Sequence, residues 1–261
     1  MRLSIQMDAN KLRDLLSSVK DGDVEIDEAL GRLRTLPFDD LEDFARLDVH
    51  RDLRNGMPEV VYCESKTAEQ STAILQRLWA HHDRVLGSRV PPEMAEVILA
   101  ALPEAHYDPV SRLVTLARTE LPAPTDADPY AMVVCGGTSD LPVAEEAAQV
   151  LTFLGHRVER AYDVGVAGLH RILGELDRLM AAGIIISVAG MEGALTSVVA
   201  GLAPAPVIGV PTSVGYGVNF KGVAPLLTML NSCASGVTVV NIDNGYGAAV
   251  SAHLMLRQMK R

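Results

Sequence analysis

Short apolar runs alternate with helical patterns along the second half of the chain. Five runs have the length and composition of buried strands, and a segment with helical spacing follows each of them. The runs are AMVVCGG (131–137), RVERAYD (157–163), IIISVAG (184–190), PVIGVP (206–211) and VTVVNID (237–243). Apolar strands separated by helices are typical of a parallel sheet covered on both faces. The pattern therefore predicts a three-layer α/β fold.

The helices of this half are predicted from the same periodicity. Asp140 is placed to cap the first of them, and Pro142 fits in its first turn. The predicted helices cover 139–155, 166–183, 193–202, about 222–234 and about 245–260.

The first half predicts a smaller β/α domain. Thr67 and Gln70 form a capping-box pattern at the start of one of its helices, and the Asp108-Pro109 pair predicts the turn of a hairpin over 106–118. The remaining predictions are two short helices in the first 35 residues, a third over 40–47, a helix over 67–82, one over 91–103, and strands at 59–65 and 84–90. The proline-rich segment 121–129 is predicted as a linker, which gives domains of 1–125 and 126–261.

Composition is that of a globular protein, with 48% hydrophobic and 21% charged residues. Charge is distributed unevenly, because residues 1–129 carry a net −9 and residues 130–261 a net −1. The second half has so few charges that we expect much of its surface to be covered, by the first half or by further copies of the chain. The overall net charge of −10 argues against nucleic acid as a partner.

The three cysteines, Cys63, Cys135 and Cys233, do not form a disulfide framework and no pair has zinc-ligand spacing. Cys63 and Cys135 are interpreted as packing residues. The N-terminus has no apolar signal segment, and no window approaches the ~20 apolar residues that a membrane span needs. These features predict a cytoplasmic protein without membrane contact.

The predicted carboxyl ends of the five strands are rich in glycine and in small polar residues. Ligands of such sheets bind outside these ends, where glycine lets backbone N–H groups approach a phosphate. Tight connections alone are the other explanation, and neither a dinucleotide nor a P-loop fingerprint is present. The candidate ligand-binding residues are Gly137, Thr138, Ser139, Asp140, Asp163, His170, Arg171, Gly190, Met191, Gly193, Ser213, Tyr216 and Lys221.

Two further residues are candidates for chemistry. Glu192 is the only acid between Asp177 and Asp243, so it is either a general acid or base or a first-turn residue that favours the helix dipole. Cys233 follows Leu226 and Leu230 at helical spacing, which favours a buried and inert thiol. A helix C-terminus also disfavours the thiolate, so reactivity would need a cationic neighbour or substrate.

The cationic candidates remain open as well. His170-Arg171 either holds a phosphate or forms a solvated helix face. Lys221 is the only Lys or Arg between Arg178 and Arg257, and its place in a glycine-rich loop favours a ligand.

The segments CGGTSDLPVAEEAAQVL (135–151), SVAGMEGALTSVVAGL (187–202) and LNSCASGVTVVNIDNGYGAA (230–249) resemble the LarB family of pyridinium-3,5-biscarboxylic acid mononucleotide synthases. The C-terminal domain of that family is similar to PurE-type aminoimidazole ribonucleotide carboxylases. The resemblance spans 130–250 and extends to RLDVHRDLRNGMPEVVYCESKT (46–67). Val49, Cys63 and Cys135 depart from the residues usual in the family, and none of them is a candidate site residue.

The resemblance implies a PurE- or flavodoxin-like sheet and a homo-octamer. It implies that the substrate is nicotinic acid adenine dinucleotide, which is carboxylated with CO2 at C5 of the ring and hydrolysed at its phosphoanhydride. Cys233 is the implied thiol, Glu192 the implied acid/base, and Mg²⁺ the implied cofactor. A purine-type carboxylase or mutase without thiol chemistry and a non-catalytic nucleotide-binding subunit remain as alternatives.

Overall fold

The computed structural model describes residues 9–34, 39–41, 45–47, 57 and 59–259. Contacts within the chain divide it into two units. One contains Met1–Tyr107 and Leu113–Glu120, and the other contains Asp108–Arg112 and Leu121–Arg261.

The N-terminal unit has a four-stranded sheet. Its strands, in spatial order, are Val60–Tyr62 (β3), Arg84–Ser88 (β4), Leu113–Ala117 (β6) and His106–Asp108 (β5). Strands β3 and β4 are parallel, and β4 and β6 are antiparallel. The predicted capping box is present, since Gln70 N donates to Thr67 Oγ1 and Thr67 N donates to Gln70 Oε1, each over 3.2 Å. The elements are α1 (Ala9–Asp21), α2 (Ile26–Arg34), β1 (Asp39–Leu41), β2 (Ala45–Leu47), β3 (Val60–Tyr62), α3 (Ala68–His81), β4 (Arg84–Ser88), α4 (Pro92–Ala101), β5 (His106–Asp108) and β6 (Leu113–Ala117).

The prediction of a short helix over 40–47 is wrong. Asp39–Leu41 and Ala45–Leu47 pair as two short antiparallel strands, with Asp39 opposite Leu47. Cross-strand backbone pairing replaces the local helical bonds here, because a weak helix propensity is easily overridden by its context.

The C-terminal unit contains a five-stranded sheet in which every neighbouring pair is parallel, as the alternation of strands and helices predicts. The strands, in spatial order, are Val237–Val239 (β11), Val207–Pro211 (β10), Ile184–Ala189 (β9), Ala131–Cys135 (β7) and Val158–Ala161 (β8). The elements are β7 (Ala131–Cys135), α5 (Leu141–Phe153), β8 (Val158–Ala161), α6 (Leu169–Leu173), α7 (Leu176–Ala181), β9 (Ile184–Ala189), α8 (Ala194–Leu202), β10 (Val207–Pro211), α9 (Val223–Leu230), β11 (Val237–Val239) and α10 (Gly245–Met259).

The centre of this sheet is covered on both faces. Every residue of β7 and β9 is buried, which accounts for the continuous apolar runs in the sequence. The chain passes from β7 outward to β8, then returns across β7 to β9 and continues to β10 and β11. The strand order therefore reverses between β7 and β9, and a crevice forms at such a point beyond the carboxyl ends.

Two predicted helices are shorter than the periodicity suggests. The helix predicted over 166–183 is divided into α6 and α7 around Gly174, and the one predicted over 222–234 ends at Leu230. Leu169, Leu173 and Met180 are each about half exposed, so the apolar face of the first segment is only partly buried in one chain.

Candidate functional site

Asp140 lies in the crevice between the carboxyl ends of β7 and β9 and is only 5% exposed. Its carboxylate accepts a hydrogen bond from Thr212 Oγ1 over 2.6 Å and one from Gly137 N over 3.1 Å. The prediction that Asp140 caps the following helix is wrong, because its side chain makes no capping bond to α5. The side chain instead links the loop after β7 to the one after β10.

The electrostatic environment of Asp140 is that of a buried acid. Burial raises its pKa above the ordinary value, and the nearby charge of Asp243 acts in the same direction. Hydrogen bonds from Thr212, Gly137 and Gly190 oppose that rise. A carboxyl group with a raised pKa in a crevice is typical of a functional site, although structural networks produce the same effect.

Strained backbone concentrates at the same edge of the sheet. Among the described residues, seven that are not glycine have a positive φ, and five of them follow strands of this sheet. They are Asp163, Met191, Phe220, Lys221 and Asp243, with φ between 49° and 57°. Such strain persists where the surroundings impose it, and it is common at ligand sites.

The glycines of this edge have two different explanations. A Cβ on Gly190 would clash with the carbonyl oxygen of Val214, so close packing of two loops already requires glycine there. Gly137 has only Asp140 Oδ2 nearby, at 4.0 Å from the ideal Cβ position, and is therefore open to a ligand. Tight connections thus account for part of the glycine content, and Gly137 is one position that they do not explain.

Glu192 is exposed in the loop that follows β9. The next residue, Gly193, is the N-cap of α8 with φ 72° and provides no capping side chain. The N-terminal N–H groups of this helix face the same crevice edge as Glu192. This arrangement suits an anionic ligand beside an accessible acid or base.

The three cysteines differ sharply in environment. Cys63 and Cys135 are fully buried, and burial raises the pKa of the Cys135 thiol to about 11 and that of Cys63 above its ordinary value. Cys233 is exposed. The expectation from spacing that Cys233 is buried is wrong, because Leu230 on the same helical face is itself 64% exposed and Cys233 lies in the loop that follows α9. Nucleophilic thiol chemistry at neutral pH is therefore open to Cys233 and not to the other two.

Glu192 and Cys233 lie toward opposite edges of the sheet in a single chain. Glu192 follows the carboxyl end of β9, whereas Cys233 precedes the amino end of β11, and both strands run parallel to β10. The six residues of β9 span about 20 Å. The topology therefore separates Glu192 and Cys233 along the strand direction within one chain.

The other candidates divide into paired and solvent-facing residues. Arg171 Nη1 forms an ion pair of 2.7 Å with Asp163 Oδ2, both at the carboxyl end of β8. Ser213 N donates to Asp243 Oδ1 over 2.7 Å. The remaining exposed candidates of this edge are Thr138, Ser139, His170, Met191, Tyr216 and Lys221, with Tyr216 82% exposed.

Three residues that organise the site are absent from the candidates chosen by sequence. Thr212 is fully buried and holds Asp140, and Asp243 binds the backbone of Ser213. Asn219 is buried and donates from Nδ2 to Met191 O at 3.0 Å, which ties two loops together. The strand-end segments GVPTSVGYGVNFKG (209–222) and NIDNGYGA (241–248) contain all three, but the sequence does not single out these residues within them.

No group of three or more His, Cys, Asp or Glu side chains suited to a metal ion occurs within the described residues. Mg²⁺ stays a prediction, and no step below is assigned to a metal. Over the same residues, no helix is long and apolar enough to cross a membrane.

The class of the protein is given by its match to known families, and it is that of the PurE-like α/β carboxylases. A model of the AIR carboxylase family matches residues 131–261, and a LarB/PurE-like N-terminal domain model matches residues 38–118. The chain belongs to the LarB family, with a PurE-like C-terminal domain, and this membership supports a carboxylase or mutase type of enzyme.

Similar proteins come from several organisms. The chain is 38% identical over 257 residues to an uncharacterized protein of Methanocaldococcus jannaschii, covering 96% of this chain and 98% of that one. It is 34% identical to the N5-carboxyaminoimidazole ribonucleotide mutase of the same organism, over 46% of this chain and 74% of that one. The crystal structure of Treponema denticola PurE is 19% identical with a TM-score of 0.38, over 51% of this chain and 93% of that one.

Proposed function

We propose that this protein carboxylates the pyridinium ring of nicotinic acid adenine dinucleotide at C5 with CO2 and hydrolyses the phosphoanhydride. The products are pyridinium-3,5-biscarboxylic acid mononucleotide and AMP, and the reaction is the first step of nickel-pincer cofactor synthesis. The observation that carries the proposal is the exposed thiol of Cys233 in a chain of the LarB family.

The chemistry explains why a thiol is needed. A pyridinium ring is electron-poor and does not attack CO2. Addition of the Cys233 thiolate to C4 forms a C–S bond and gives a neutral dihydropyridine, in which C5 is an electron-rich enamine carbon. C5 then forms a bond to CO2, which leaves a carboxylate at C5 and a cationic ring.

Glu192 is assigned the proton transfer that follows. Its carboxylate takes the proton from C5, and the ring electrons then expel the thiolate from C4 and restore the aromatic pyridinium. The positive charge of the substrate favours the thiolate beside it, which offsets the unfavourable end of α9. The dinucleotide phosphates suit the N-termini of α8 and α9, which are not capped by side chains.

We further propose that a second copy of the chain completes the site, within a homo-octamer. Since Glu192 and Cys233 lie toward opposite edges of one sheet, the thiol near a given Glu192 comes from a neighbouring copy. Large apolar side chains of the 216–230 segment are exposed, including Tyr216 at 82%, Phe220 at 70% and Leu230 at 64%. Symmetric assembly buries such residues.

A second candidate function is N5-carboxyaminoimidazole ribonucleotide mutase. The 34% identity to a protein of that name, over 46% of this chain, favours it. This chemistry moves CO2 on a purine precursor and needs no thiol. Cys233 would then be dispensable.

Mass spectrometry of the full chain mixed with nicotinic acid adenine dinucleotide and ¹³C-bicarbonate separates these functions. We expect AMP and a mononucleotide that carries one labelled carboxyl group. A parallel reaction with N5-carboxyaminoimidazole ribonucleotide tests the mutase. Turnover of only that compound would contradict the proposal, and binding of either compound without turnover would indicate a nucleotide-binding subunit.

A further inference from the structure

Two serines hold the loop that carries Cys233. Ser232 lies in the loop itself and Ser197 lies on α8, and both border the groove in which the thiol lies. Ser232 Oγ accepts a hydrogen bond from Ala234 N over 3.3 Å, which closes a short turn with Cys233 at its centre. Ser232 Oγ also lies 2.8 Å from Ser197 Oγ on the neighbouring helix α8. The backbone N–H that follows Cys233 is therefore bonded to one hydroxyl, which is itself bonded to another.

Ser197 connects this turn to the part of the chain that carries Glu192. It lies one turn into α8, and α8 begins directly after Glu192 and Gly193. Ser197, Ser232 and Cys233 border one open groove, together with the exposed side chains of Leu227 and Leu230. The hydroxyl pair thus links the thiol loop to a rigid helix, whereas Cys233 itself has no regular secondary structure.

We propose that Ser197 is a positioning residue that acts through Ser232 to fix the Cys233 sulfur in the groove. The consequence for catalysis rests on the function proposed above; the effect on thiol reactivity does not. Without the bond to Ser197, Ser232 can rotate away from Ala234 N, and the turn around Cys233 loosens. A displacement of about 1 Å in a reacting group costs on the order of a hundredfold in rate, so a single lost bond is sufficient to be measured.

The test compares Ser197→Ala with Ser197→Thr, which keeps the hydroxyl. The first readout is the rate at which iodoacetamide alkylates Cys233 across neutral pH, since the other two thiols are buried. We expect Ser197→Ala to change this rate at least threefold and to shift its pH profile, and Ser197→Thr to restore both. The second readout is carboxylation, for which we expect kcat to fall about tenfold with KM changed less than twofold.

The chain offers a matched control on the same helix. Thr196 Oγ1 lies 3.0 Å from Ser187 Oγ, so it forms the neighbouring hydroxyl pair but faces the core. Thr196→Val should lower stability and leave alkylation of Cys233 unchanged. In a Ser232→Ala background, the further change Ser197→Ala should have no additional effect on alkylation, because its influence passes through Ser232.

Any of three results would overturn the positioning role. Ser197→Ala could leave the alkylation rate of Cys233 unchanged, Ser197→Thr could fail to restore that rate, or Thr196→Val could change it as much as Ser197→Ala does. If the chain does not carboxylate the dinucleotide at all, the alkylation results still decide the inference. Failure of the proposed function and failure of the positioning role are therefore distinguishable.

Discussion

Thr212→Val should destabilise the protein by about 1.5–3 kcal/mol at neutral pH, because it removes a donor from a buried carboxylate. Thr212 is fully buried, Asp140 is 5% exposed, and the bond between Thr212 Oγ1 and Asp140 Oδ1 is 2.6 Å long. Water cannot easily replace the lost donor at such a site. The change corresponds to a factor of about 10 to 150 in the unfolding equilibrium.

The effect should depend on pH in a defined direction. Burial holds the pKa of Asp140 above its ordinary value, while the bond from Thr212 limits that rise. A group with a raised pKa stabilises the fold in its protonated form, and this contribution is lost as the pH rises through the folded-state value. Removing Thr212 raises that pKa further. Thr212→Val should therefore destabilise the fold by about 0.5–1.5 kcal/mol at acid pH, where Asp140 is protonated, and by more at neutral pH, where Asp140 is charged.

The assay is urea unfolding at several pH values and one protein concentration, since assembly makes stability depend on concentration. Thr212→Ser is the matched control, because it keeps the hydroxyl and removes one methyl group. It should cost about 1 kcal/mol at every pH. Parallel pH curves for Thr212→Val and Thr212→Ser would refute the role assigned to the hydroxyl.

The remaining predictions concern the reaction and the assembly. Cys233→Ser should abolish carboxylation with the fold intact by circular dichroism, and turnover within about tenfold of wild type would exclude the covalent route. Glu192→Gln should retain substrate binding by calorimetry and lose about 10²–10⁴ in rate, whereas loss of binding would favour a helix-dipole role. Gly190→Ala should lower the melting temperature, since its Cβ meets the Val214 carbonyl; an unchanged value would show that the loops can separate. Light scattering should report an octamer, and a species of 28.0 kDa would contradict assembly.

The sequence predicted the layers of the C-terminal unit because its signals were strong and local. Continuous apolar runs become strands β7 and β9, in which every residue is buried. The crevice lies beyond the carboxyl ends of the strands because the strands are parallel, so its location could be predicted without knowledge of side-chain contacts. The order of the strands, and hence the position of the reversal between β7 and β9, depends on long-range pairing that no local pattern encodes.

The side-chain partners within the crevice were less accessible to prediction. Asp140 matched the local pattern of a helix cap, but its carboxylate binds Thr212, which is 72 residues away in the chain. Thr212 itself looks like an ordinary loop residue in the sequence. A buried hydroxyl–carboxylate bond between two loops becomes visible only when the sheet brings the ends of β7 and β10 to the same edge.

The error at Cys233 shows how a helix end changes a chemical conclusion. Leu226, Leu230 and Cys233 have helical spacing, so the periodicity placed the thiol on a buried face. The helix ends at Leu230, and the following Asn231-Ser232 pair turns the chain, with Ser232 N bonded to Met229 O and Ser232 Oγ bonded to Ala234 N. Serine and asparagine compete with helical bonds in this way and terminate helices. The end of α9 places Cys233 in a loop, beside a helix face on which Leu230 is already 64% exposed, and Ser232 holds that loop through its bond to Ala234 N.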